Sequence, residues 1–376
     1  MAKQPGSAIV IGAGIVGLAI ARSLAVRNWR VTVIEKQERA LGASVRNFGM
    51  IWPIGQPDGE LYERALLSRR IWKEICNDAG IWYDKVGSLH LAFAADEWNV
   101  LQELANVYSH RNYMLLGADE TCAASPATRR QGLLGSLFSP HEMIVDPRQA
   151  IARIPFFLTE RYGVKFIWGK AVTDISLPAV YSGSEQWEAD EVFVCSGADF
   201  ETLFPEVFRQ LPITRCKLQM MRTHTQPGQW RMGPALCAGL SLLHYKSFQA
   251  ASSLSHLKQR IEQEMPEYLK WGIHVMASQN QEGALTLGDS HEYGWSHDPF
   301  DRDYINQLIL NYLDSFMQVP DRRIAQSWHG VYPKLTNGAT ELVVQPERGI
   351  NIVNALGGAG MTLSFGLAEQ VVKAMS

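Results

Sequence analysis

The segment Gly12-Ala13-Gly14-Ile15-Val16-Gly17 constrains this chain more than any other. An apolar run, Ala8 to Gly12, precedes it, a helical pattern from Gly14 to Arg27 follows, and the valine-rich run Arg30 to Glu35 comes next. Strand, glycine turn, helix and strand make a βαβ unit, which implies a parallel sheet. In such a turn the first glycine allows the reversal and the second lets the backbone approach a pyrophosphate. The third lets helix and strand pack closely, and the anion rests on the helix N-terminus. Glu35 ends the second run at the spacing expected of a carboxylate that accepts from a ribose. The unit therefore predicts a dinucleotide site.

Two more glycine turns follow strand-like runs. Cys195-Ser196-Gly197 ends the buried run from Val192, and Gly357-Gly358-Ala359-Gly360-Met361-Thr362 follows Ile350 to Asn354 and opens a helix near Leu363. A turn at a helix start favours partial negative charge. Three such approaches suit FAD, a long cofactor, better than a nicotinamide nucleotide. Helical patterns cover Leu61 to Ala79, Asp96 to Ser109, Gln149 to Tyr162 (capped by Asp146), Leu254 to Glu264 and Asp303 to Met317. Strand patterns cover Gly87 to Ala94, Val164 to Ile167, Trp187 to Gly197 and Ile213 to Thr225. The irregular stretch Glu38 to Gly59 is long enough to imply function. The expected fold class is α/β (α+β overall): a Rossmann-type FAD-binding domain (1–85, 141–215 and 326–376) interleaved with a mixed antiparallel-sheet substrate domain (86–140 and 216–325).

Composition excludes several alternatives. The 376 residues are 46% hydrophobic with a formal net charge of −3 and no basic run, so no nucleic-acid partner is expected. The five cysteines are scattered without a CxxC pair, as in a reduced protein. The start lacks the pattern of a secretory signal, and no apolar run reaches the roughly 20 residues of a membrane span, so a soluble cytoplasmic protein is expected. No HExxH, P-loop or GxSxG is present, and no metal is expected. His291 and His297 read as surface histidines of a polar turn.

On Gly12 to Gly17, Glu35, Gly42-Ala43-Ser44, Cys195 to Gly197 and Gly357 to Thr362, the chain resembles the FAD-dependent superfamily of D-amino acid oxidase, glycine oxidase and monomeric sarcosine oxidase. The likeness runs through nearly the whole length. The stretches Ser44 to Pro53, His274 to Ser278, Gly288 to Glu292 and Trp328 to Tyr332 are similar to a subfamily linked to phosphonate catabolism. The resemblance implies FAD-dependent oxidation of the C–N bond of a small amine, with 2-aminoethylphosphonate-like compounds, N-methylated or hydroxylated, as the narrower expectation. A glycine, sarcosine or D-amino acid oxidase or dehydrogenase is the alternative, and a non-catalytic flavin-binding sensor is the alternative of another class. The electron acceptor, oxygen or another, stays open.

Sarcosine-type relatives attach flavin through a cysteine where Gly330 stands here, so the resemblance implies non-covalent FAD. The arginine and lysine with which relatives hold a carboxylate are replaced by Tyr332 and Thr362, so an anion would be held elsewhere. Cofactor contacts are expected from Gly12, Gly14, Ile15, Val16, Gly17, Glu35 and Lys36; from Ala43, Ser44, Asn47, Phe48 and Gly49; from Val172, Cys195, Ser196, Gly197 and Gly330; and from Gly357, Gly358, Gly360, Met361 and Thr362. Arg46 is the first candidate for an anion, with a salt bridge or pyrophosphate contact as its alternatives. Tyr332 and His329 are expected on the substrate side of the ring, packing being the alternative for each. Lys334 reaches the anion or is solvated, and His274 contacts substrate or is a satisfied core histidine. Lys217 and Arg222 are spare cations, expected at the surface, and His244-Tyr245 are expected in a strand.

Overall fold

Strand Ser7–Ile11 is buried almost throughout because strands flank it on both sides. A computed structural model describes residues 6–375 of the chain. In it, one six-stranded sheet runs in the order Leu342–Glu347, Ile350–Asn354, Glu191–Val194, Ser7–Ile11, Arg30–Glu35, Lys165–Trp168. All neighbours are parallel except the antiparallel edge strand Leu342–Glu347. Helix Ile15–Ala25 packs against helix Gly360–Ala374, which also packs on helix Glu60–Ala79. Trp72 locks that last contact. It is fully buried, stands edge-on to Phe365 at 5.1 Å, and donates from Nε1 to the carbonyl of Met361 at 2.8 Å. A core tryptophan of this kind stabilises by roughly 3–5 kcal/mol, and here it also fixes the glycine turn that opens the final helix.

A second, nine-stranded sheet is mostly antiparallel. Its spine is the long strand Ile213–Thr225, which pairs along nearly all of strand Ile324–Leu335 and sets Cys216 opposite Tyr332. Residues 326–335, assigned to the cofactor domain from the sequence, therefore lie in the other sheet. Their alternation was masked because one face of the strand is half-exposed and polar. Other expectations also shift. Residues 174–188 hold three short antiparallel strands, and His244-Tyr245 lie in the turn between Gly239–Leu242 and Lys246–Ala250 rather than in a strand. Asp146 caps helix Pro147–Tyr162 by accepting from the N–H groups of Arg148 and Gln149. No helix of the described residues is long and apolar enough to cross a membrane.

Candidate functional site

The first glycine turn is packed to its steric limit. Gly12 has φ +102°, and a Cβ there would lie 2.5 Å from the carbonyl oxygen of Cys195. A Cβ on Gly17 would lie 1.9 Å from the carbonyl oxygen of Gly12. The helix that follows has no side-chain cap from Gly14, and Ser44 Oγ accepts from the N–H of Ile15 at 2.9 Å. Glu35 accepts from the N–H groups of Ala13 and Gln37 at 2.9 and 3.1 Å, which holds its carboxylate at the turn. Lys36 pairs with Asp199 at 2.8 Å, and Ser196 Oγ donates to the carbonyl of Asp199. Val172 is buried with Ile11 and Ile34 in an apolar cluster.

From Ile15 and Ser44 a cavity of about 250 Å³ extends between the two sheets. Ala43, Asn47 and Phe48 wall one side, and the second glycine turn, Gly357 to Thr362, walls another. The two turns lie side by side, since a Cβ on Gly360 would sit 3.7 Å from Ile15. The loop is tied internally: Asn47 Nδ2 donates to the carbonyls of Ala43 and Ser44, and its Oδ1 accepts from the N–H of Gly49. Thr362 Oγ1 accepts from the N–H of Trp52 at 2.9 Å. Gly330 faces the carbonyl of Arg46, which a Cβ would approach to 3.2 Å. Two adjacent helix starts and a continuous cavity between them fit an extended, anionic, planar cofactor. Among the described residues, no cysteine lines this cavity.

Strand Ile324–Leu335 presents alternate residues to the cavity. Gly330, Tyr332 and Lys334 line it, and the Tyr332 hydroxyl lies 3.5 Å from where a Cβ of Gly358 would be. His329 does not share that face. Its Nδ1 lies 2.9 Å from Asp301 Oδ1, and it lines a second cavity of about 820 Å³. The expectation that His329 and Tyr332 sit together on the substrate side thus fails on the two-residue period of a strand. Arg46 lines both cavities and donates to the carbonyl of His329 at 3.2 Å. Lys334 donates to the Tyr293 hydroxyl at 2.9 Å.

The far end of the first cavity holds a cluster the sequence did not announce. His244, His274 and His291 form a triangular cluster of rings, with centroids 3.8 Å apart for His244–His274, 4.8 Å for His244–His291 and 5.2 Å for His274–His291. Asp289, 5% exposed, brings Oδ1 to 3.2 Å from His274 Nε2 and Oδ2 to 4.0 Å from His291 Nε2. The His274 contact is close but poorly aligned, and Oδ1 has no formed hydrogen bond. His291 donates from Nδ1 to the carbonyl of Gly272 at 2.9 Å. Burial drives all three imidazoles towards the neutral form: His291 is pushed down to about 4, and His244 and His274 well below the usual range, with the Lys334 ammonium adding to the effect. Burial raises the Asp289 carboxyl well above its ordinary value. His244 is the exposed member of the three and opens onto the cavity. The ring nitrogens are within 4.8 Å of one another. A metal, however, binds in the plane of each imidazole. His244 and His274 are stacked 3.8 Å apart and 26° from parallel, so their two ring planes do not converge on one nearby ion.

His291, expected at the surface, is therefore buried, while His297 is half-buried. Lys217 and Arg222 are buried too, Lys217 paired with Asp301 at 3.0 Å and Arg222 beside Asp146 at 3.9 Å, so neither is a free cation. His274 lines the cavity, as do His244, Asp289 and Lys246, which were not singled out for it. They converge from separate turns and strands, and a single sequence carries no signal for such convergence.

A parallel nucleotide-type sheet, a second, mostly antiparallel sheet and a cavity between them suit a flavoprotein oxidoreductase. The chain belongs to the FAD dependent oxidoreductase family, whose model matches residues 7–374. It is 29% identical over 250 residues to the tRNA 5-methylaminomethyl-2-thiouridine biosynthesis bifunctional protein MnmC of Pseudomonas putida (strain GB-1). That match takes in 63% of this chain and 36% of the relative, so the chain spans about a third of the relative's length. In fold it is similar to glycine oxidase from Geobacillus kaustophilus (TM-score 0.72, 19% identity, 99% of this chain and 94% of the other). It is equally similar to L-alpha-glycerophosphate oxidase from Mycoplasma pneumoniae with FAD bound (TM-score 0.72, 17% identity, 99% and 94%).

Proposed function

We propose that this FAD-dependent oxidoreductase oxidises the C–N bond of a small amine that also carries an anionic group, an aminophosphonate of the 2-aminoethylphosphonate type. The observation that supports this most is the charge of the cavity wall: among the described residues, Arg46, Lys246 and Lys334 line it with one carboxylate, Asp289. A small molecule with one ammonium and a multiply charged anion matches that balance. The glycine oxidase neighbour and the methylaminomethyl chemistry in the name of the Pseudomonas relative both concern amines.

Gly12 to Gly17 and the start of helix Ile15–Ala25 would hold the pyrophosphate, Glu35 the ribose, and the turn Gly357 to Thr362 the flavin ring. FAD, when bound, takes up two electrons from the substrate's C–H bond. The protein positions that bond, excludes water through Phe48, Met50 and Trp52, and keeps the amine in its neutral form. Loss of the hydride equivalent and an N–H proton leaves a C=N bond, and water then yields a carbonyl compound and ammonia or an alkylamine. The test is anaerobic mixing of the FAD-loaded protein with 2-aminoethylphosphonate, its N-methyl and 1-hydroxy forms, glycine, sarcosine and D-alanine. Bleaching of the flavin band by the phosphonates alone is the expected result. Bleaching by the carboxylates instead refutes the phosphonate reading, and bleaching by none refutes amine oxidation.

A further inference from the structure

The contact between Asp289 and His274 is chemically unfinished. Asp289 Oδ1 is buried, has no formed hydrogen bond, and lies 3.2 Å from His274 Nε2. On the other side of the His274 ring, Nδ1 lies 3.5 Å from Ser241 Oγ, which itself donates to the carbonyl of Val275. With that hydroxyl donating to Val275, Nδ1 is best satisfied when it carries the proton, which leaves Nε2 an acceptor close to Asp289 Oδ1 though not aligned with it. Two acceptors at that distance repel each other, and a proton taken up there relieves the repulsion. The pair is therefore built to take up a proton, and it does so in the wall of the cavity.

We propose that Asp289 is the catalytic proton acceptor of this site, taking the ammonium proton of the bound amine, with His274 as the positioning residue that shares it. The inference rests on the amine-oxidase reading above. The N–H bond of the ammonium breaks, an O–H bond forms at the Asp289 carboxyl beside His274, and no oxidation state changes. The neutral amine left behind is the form from which a C–H bond can give up a hydride equivalent. Among the described residues Asp289 is also the only acid in a wall with three cationic side chains, which places the ammonium end of a substrate beside it and the anionic end towards Lys334. The groups facing the pair are His244, His291, Lys334, Tyr245, Tyr293, Tyr332 and Cys216. Burial keeps the imidazoles among them neutral and strengthens Asp289 as a base.

The test is the rate of anaerobic flavin reduction by 2-aminoethylphosphonate between pH 6.5 and 10.5, in the FAD-loaded native protein and in Asp289→Asn and His274→Gln. A free alkylammonium loses its proton near pH 10, as lysine does. The native rate should level off well below that pH. The Asn variant should be slower by roughly a thousandfold at pH 7, gain about tenfold per pH unit, and come within a few-fold of native near pH 10. His274→Gln should show the same trend with a smaller deficit. Equal loss at every pH, or an unchanged profile, overturns the inference and leaves the amine-oxidase reading standing, whereas no reduction of the native protein by any amine overturns both. A second measurement needs only native protein: substrates whose amines differ in pKa should give the same profile break. A break that follows each substrate's own amine overturns the proposal.

Discussion

Replacing Lys334 with methionine deletes the ammonium at the inner end of the cavity and keeps most of the apolar stem. The native ammonium is half-buried, donates to Tyr293 at 2.9 Å, and lies 4.8 Å from the centre of that ring. A unit charge about 4 Å away is worth about 4 kcal/mol at an effective dielectric constant of about 20, before the loss of water is counted. A hydrogen bond to a charged group contributes about 1.5–3 kcal/mol net. Taking about 2 kcal/mol, kcat/KM for an anionic amine should fall about thirtyfold, mostly through KM, with flavin content unchanged. The loss should be greater for a dianionic phosphonate than for a carboxylate of the same length, because the Coulomb contribution scales with the ligand's charge. Anaerobic stopped-flow reduction at fixed ionic strength, with flavin absorbance per protein measured alongside, reads both quantities. A kcat/KM within twofold of native, or a protein that loses its flavin, would refute the assignment of this cation to the substrate's anionic end.

Two further outcomes follow from other parts of the molecule. Gly17→Ala should yield protein without FAD, because the added methyl group would meet the backbone oxygen of Gly12 at 1.9 Å and backbone cannot swing aside; a normal flavin-to-protein absorbance ratio in the purified variant would contradict this. Glu142 is buried, accepts from the Ile54 N–H and the Ser88 hydroxyl at 3.0 Å each, and is raised from 4.5 to about 7 by burial. Since the folded value lies above the unfolded one, its contribution is full below about pH 4.5 and is lost as pH rises through about 7, a change of about 3 kcal/mol. Urea unfolding at pH 5 and pH 8 should show Glu142→Gln gaining on native protein at the higher pH, and a pH-independent difference between the two would refute it.

What could be read from the sequence was local. Gly12 to Gly17 and Glu35 act within one βαβ unit, and their spacing alone carries the geometry later seen at Ala13 and Gln37. Strand Ile213–Thr225 and helix Leu254–Glu264 likewise show their periods in the residues themselves. Strand Ile324–Leu335 was harder, because Gln326, Ser327 and His329 interrupt the apolar pattern. Only its pairing with Ile213–Thr225 shows that Tyr332 and Lys334 share one face while His329 takes the other.

The inner end of the cavity lay beyond such reading because it is assembled from four segments. His244 comes from a turn, His274 from the approach to strand Met276–Gln279, Asp289 and His291 from the end of strand Ala284–Gly288, and Lys334 from the far end of a strand in register with Thr214. Each is ordinary in its own neighbourhood, and the polar setting of His291 even favours a surface position. Only their convergence drives three imidazoles towards the neutral form, raises one carboxyl, and leaves one oxygen of that carboxyl without a formed hydrogen bond. A core that needed only stability would gain by filling this space with apolar side chains. Unfinished polar contacts in the wall of a cavity cost folding free energy, and they are understandable where a ligand completes them.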